Sequence, residues 1–166
     1  MQGNLRRNGA VEREATPDWL RPAAPVHRIG RGWAAAIPVD WTLPLPLEFP
    51  ESDIDWIVAS DCVWLVSMLD GLLNTVQAIV DRNRNRQPTF LMSFQRRDPK
   101  DGDDSAHFTS IRRVYQAVLR RGWGMKCLVW HPVSIPQEGA SLDNENSTEQ
   151  STSEVYLFEI QPNPAS

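Results

Sequence analysis

Ile54-Asp55-Trp56-Ile57-Val58-Ala59-Ser60 is nearly all apolar, rich in β-branched and aromatic residues, and stops at a carboxylate, Asp61. A short run of this kind predicts a strand buried on both faces of a parallel sheet. The period then changes. Leu65, Met68, Leu69, Leu72, Leu73, Val76, Ile79 and Val80 recur at three- and four-residue spacing, with Asp70, Asn74, Gln77 and Asp81 opposite them. That pattern predicts an amphipathic helix, so a strand feeds a helix and the fold class is α/β.

Downstream, Arg82-Asn83-Arg84-Asn85-Arg86-Gln87-Pro88 reads as a polar loop, and Thr89-Phe90-Leu91-Met92-Ser93-Phe94 as a second buried strand with Arg96 and Arg97 at its carboxyl end. An acidic loop from Asp98 to Asp104 leads to a second helix, with Ile111, Val114, Tyr115, Val118 and Leu119 on its apolar face and Gly122 as its stop. Arg112, Arg113, Arg120 and Arg121 read as its solvated face. Met125–Trp130 and Val155–Ile160 are further strands around a stretch rich in Ser, Glu, Asn and Thr, a disordered surface insertion at about 134–153.

Upstream, residues 1–33 are polar and broken by Pro17, Pro22 and Pro25, which predicts a mostly irregular segment, one short helical fragment followed by loop. Ala34 to Trp41 reads as a short strand that Pro38 restricts to an edge or an end. One domain over 34–162 follows from this order, a mostly parallel sheet with helices on its faces.

The 166 residues carry 17 basic and 21 acidic side chains, a net charge of −4, so no basic field draws nucleic acid or an anionic membrane. Cys62 and Cys127 lie in separate apolar runs, which argues against a disulfide framework and against a metal site. His27, His107 and His131 have no ligand-like spacing around them, so no metal is expected. No secretory h-region follows Met1 and no run approaches the roughly 18 apolar residues of a membrane span. The expected location is cytoplasmic, with the nucleus open.

Trp56 to Trp64, the Leu-rich helix and Leu91-Met92-Ser93-Phe94-Gln95-Arg96-Arg97 together resemble the fourth strand, fourth helix and fifth strand of the eukaryotic methyltransferase-like protein-lysine methyltransferases. These are class I S-adenosylmethionine (SAM)-dependent enzymes with a Rossmann-like sheet. In that family an acidic residue followed three positions later by an aromatic one closes the fourth strand beside the active site; here the pair is Asp61 and Trp64. Val39-Asp40-Trp41 is similar to the strand whose tryptophan contacts the cofactor. The resemblance thus implies Asp61 and Trp64 as catalytic residues, the Trp41 ring and the Ser60 backbone as SAM contacts, antiparallel last strands, and a protein substrate, lysine being the acceptor.

The same resemblance places Asn4–Gly9 at the end of the helix before the third strand. The family's first two strands and its cofactor-binding glycine loop would then precede Met1, and the expectation is a truncated chain, a partial domain with the fourth strand as an edge open to pairing with another chain. Gly30-Arg31-Gly32 is the nearest local glycine motif, but it follows no convincing strand. Each site residue also has a plainer role: Asp61 as a helix N-cap, Trp64 as a packing residue, Trp41 as the cap of an edge strand. The alternative function is a non-catalytic interaction module derived from a methyltransferase fold.

Overall fold

The structure is a computed structural model and describes residues 11–12, 26–47, 49, 54–83, 85–96, 108–135 and 151–163. It divides into two compact units, Met1–Asp53 and Ile54–Ser166. The helical fragment expected near residues 4–9, Arg97, the acidic loop 98–104, His107 and the centre of the expected insertion, 136–150, lie outside the described residues.

In the second unit the chain runs β4 (Trp56–Ser60), α1 (Val66–Arg82), β5 (Thr89–Gln95), α2 (Ile111–Arg120), β6 (Gly124–Ile135) and β7 (Ser151–Gln161). The strands form one mixed sheet in the order β4-β5-β7-β6. β4 and β5 are parallel, from Trp56 opposite Thr89 to Ser60 opposite Ser93, and α1 is the crossover that a parallel pair requires. The last strands are antiparallel: Phe90 faces Ile160 and Met92 faces Phe158. This mixed α/β arrangement is compatible with the partial Rossmann-like sheet that the resemblance implies.

Alternation along β5 sorts the sheet into two faces. Phe90, Met92 and Phe94 are buried, with Phe158 and Ile160 beside them on β7, while Leu91 and Ser93 are half-exposed. The buried face meets Leu69, Leu72, Leu73, Val76, Ile79 and Val80 of α1 and Val114, Ala117 and Val118 of α2. The expectation that β4 is buried on both faces is corrected here. Trp56 is 60% and Val58 69% exposed, because β4 is an edge of the described sheet and both described helices form one layer.

That layer is tied by a side chain read from sequence as solvated. Arg121 donates to Asn74 Oδ1 at 3.0 Å, to the Ala117 carbonyl at 3.2 Å, and pairs with Asp70 at 3.0 Å. α2 is also turned from its expected orientation: Tyr115 and Leu119 are exposed and the small Ala117 is buried instead, letting the helix sit close to its neighbours. Gly122 ends the helix as expected. Its φ of +68° lets its N–H reach Leu119 O at 2.8 Å and the Trp123 N–H reach Val118 O at 3.2 Å, the paired bonds of a Schellman motif. At the end of α1, Asn83 accepts from the Ile54 N–H at 3.0 Å and donates to the Ile54 carbonyl at 2.7 Å, anchoring the entry to β4.

β6 and β7 outrun β5. Their pairing continues to Ile135 opposite Ser151, so both flanks of the expected insertion are strand. Where β5 ends, Arg96 lies 3.2 Å from Glu154 and the Tyr156 hydroxyl donates to the same carboxylate at 2.7 Å. The Tyr156 hydrogen bond, with Arg96 behind it, holds the Glu154 carboxyl below its usual range; burial, then Glu154, pushes the Tyr156 phenol up to about 12. A depressed carboxylate stabilises the fold fully above its unfolded pKa of about 4.3 and loses that contribution as pH falls through the folded value. In acid melts we therefore expect Glu154→Gln to flatten the loss of Tm below about pH 4.3. The effect is under about 1 kcal/mol, because the pair is partly solvent-screened.

In the first unit, β1 (Val11–Glu12), β2 (Val26–Ile29) and β3 (Gly32–Ala35) form an antiparallel sheet in that order. This corrects the reading of 26–33 as loop. β2 and β3 are joined by Gly30-Arg31, and Gly30 alone has positive φ (+56°), the pattern of a II′ hairpin turn. The strand expected over 34–41 stops at Ala35, and residues 36–40 carry no regular structure around Pro38, which has no N–H to donate. Asp40 instead accepts from the Thr42 N–H at 2.8 Å and hydroxyl at 2.7 Å, and Trp41 sits half-buried in that turn.

Candidate active site

β4 ends at Ser60, and the chain turns at Asp61 with φ +48°, the one positive φ among the described non-glycine residues. Aspartate tolerates this region better than most residues, but it remains unfavourable and persists only where surroundings impose it. The imposing contacts come from β5. The Asp61 N–H donates to Ser93 O at 3.1 Å, one residue past the strand, and the Ser93 hydroxyl donates to Ser60 Oγ at 3.0 Å. The Cys62 thiol adds a weak bond to Ser60 O at 3.2 Å.

Val63 is buried and pins the middle of the corner. Its far end is clamped by the segment before α2: the Thr109 N–H donates to Trp64 O at 2.9 Å, and Leu65 forms a bridge with Phe108. Helix α1 begins only at Val66, and its N-cap is Leu65, with no side-chain cap. Asp61 is therefore not the N-cap of this helix. Trp64 is 44% exposed.

Ser60, Asp61 and Trp64 thus share one braced corner at the carboxyl end of a parallel strand, where open α/β sheets place ligands. Trp41 belongs to the other unit. Arg96 is engaged with Glu154. Sequence reasoning missed Ser93, Phe108 and Thr109. Ser93 had one usable signal, a hydroxyl at the carboxyl end of the neighbouring predicted strand; the other two had none.

The glycine motif does not fit a SAM cradle. Gly30-Arg31-Gly32 closes a hairpin instead of joining a strand to a helix, and a Cβ on Gly30 would meet nothing within 4 Å.

Residues 30–114 match the family model described as lysine methyltransferase. The chain belongs to the lysine methyltransferase family. Methyltransferases of this kind use SAM as donor, and the family name points to lysine on a protein as acceptor. Trp41, Ser60, Asp61 and Trp64 all fall within the matched span. Neither a curated protein nor a solved structure gives a significant match. No described helix of this lysine methyltransferase family member is long and apolar enough to cross a membrane.

Proposed function

We propose that the corner from Ser60 to Trp64 forms the acceptor-amine side of a SAM-dependent protein-lysine N-methyltransferase site. The observation that supports this most is the backbone of Asp61, held in an unfavourable conformation at the carboxyl end of β4 and not used to cap the helix. Backbone strain held in place by surrounding hydrogen bonds clusters at functional positions.

Methyl transfer to lysine needs the amine neutral and in line with the donor, and positioning supplies most of the catalysis. The Asp61 carboxylate orients the amine through a hydrogen bond, and the exposed Trp64 ring holds its cationic form through the π-face. SAM, when bound, supplies a methyl group on a positively charged sulfur, so the leaving group needs no acid. The Ser60 backbone is the proposed SAM contact at this corner; Trp41 is proposed as a SAM contact from the family resemblance alone, and 34–162 as the domain.

The exposed Trp56 and Val58 on the β4 edge favour a second reading, pairing of this edge with another chain in a non-catalytic role. Titration of the folded protein with SAM at millimolar concentration, followed by amide NMR, separates the two. The enzymatic reading predicts saturable shifts at Ser60 and Asp61; a folded protein whose spectrum does not move would refute it.

A further inference from the structure

We infer that Ser93 is a positioning residue for this site, acting through Ser60 and Asp61. The inference rests on the proposed role of Asp61. Ser93 is the β5 residue in register with Ser60, and it holds the β4 terminus twice. Its carbonyl accepts from the Asp61 N–H at 3.1 Å and its hydroxyl bonds Ser60 Oγ at 3.0 Å.

The two bonds fall on either side of the peptide at which the chain leaves the strand. The backbone bond extends the parallel ladder to Asp61; the hydroxyl bond fixes the side chain of the residue before it. Without the second, Ser60 is free to change rotamer, and the unfavourable φ of Asp61 is opposed by one bond instead of two. The carboxylate would then sample orientations away from the acceptor, and a misplacement on the scale of 1 Å is enough to slow a positioned reaction. Ser93 is half-buried on the sheet face opposite the helices, so a slightly larger side chain fits there without disturbing Phe90, Met92 or Phe94.

Ser93→Thr and Ser93→Val provide the test, because their side chains share a shape and a strand preference and differ in the hydroxyl. Hydrogen exchange of the Asp61 amide, read by NMR, should match the parent protein in Ser93→Thr and be about tenfold faster in Ser93→Val, with exchange in α1 unchanged in both. In lysine methyl transfer, Ser93→Val should lower kcat about tenfold, and Ser93→Thr should restore it. Equal Asp61 protection in the two variants would overturn the inference. If the parent protein transfers no methyl group, the proposed function fails while the exchange comparison still decides the role of Ser93.

Discussion

Phe90→Ala is expected to destabilise the second unit by about 3–5 kcal/mol, measured by urea unfolding. Phe90 has no solvent exposure; it lies opposite Ile160 on β7, on the face that the two helices cover. Truncating it removes a large apolar surface and leaves a cavity between sheet and helices that neighbours fill only partly. Trp56→Ala removes a larger side chain from the same sheet, yet its ring is 60% exposed on the edge strand, so its cost should be far smaller, about 0.5 kcal/mol. The contrast tests the one-sided packing of the sheet. Comparable losses from the two substitutions would mean that β4 is covered on its outer face.

Asp61→Gly should separate stability from function. Glycine adopts φ +48° without the steric cost that any Cβ incurs there, so this variant should be more stable than the parent by about 0.5–1 kcal/mol. Asp61→Ala meets the same backbone with an unfavourable residue and should be less stable than Asp61→Gly by about 1 kcal/mol. Both lose the carboxylate. Lysine methyl transfer should fall by about 100-fold in each, the scale set by loss of substrate positioning. A fall in activity that followed stability, large for alanine and absent for glycine, would reduce Asp61 to a turn residue.

Much of the fold was legible because the signals were local. The 3.6-residue period of α1 and the glycine after α2 report on the chain's own backbone, and the structure places both as the pattern required. What sequence could not supply was the set of neighbours. The apolar run Trp56–Ser60 has the same composition whether its outer face is covered or open, so period and hydrophobicity predicted burial on both sides. Arg121 looked solvated because nothing in α2 reveals that Asp70 and Asn74 of α1 stand opposite it. Tyr115 and Leu119 continued an apolar stripe that the packing of Ala117 displaced.

The site divides the same way. Asp61 and Trp64 stood out through the family resemblance, but the positive φ of Asp61 and its N–H bond to Ser93, more than thirty residues away in sequence, did not. The hairpin over 26–35 was hidden by composition, since a polar, proline-rich segment reads as loop unless the two-residue turn at Gly30 is recognised.

The most direct test of the account is lysine methylation itself. The parent protein and Asp61→Asn, matched for folding by circular dichroism, would be incubated with SAM and a library of lysine-bearing proteins, and modified lysines identified by mass spectrometry. The account predicts methyl-lysine with the parent protein and its loss with Asp61→Asn, which keeps the shape of the side chain and removes its charge. Equal methylation by both proteins would contradict it.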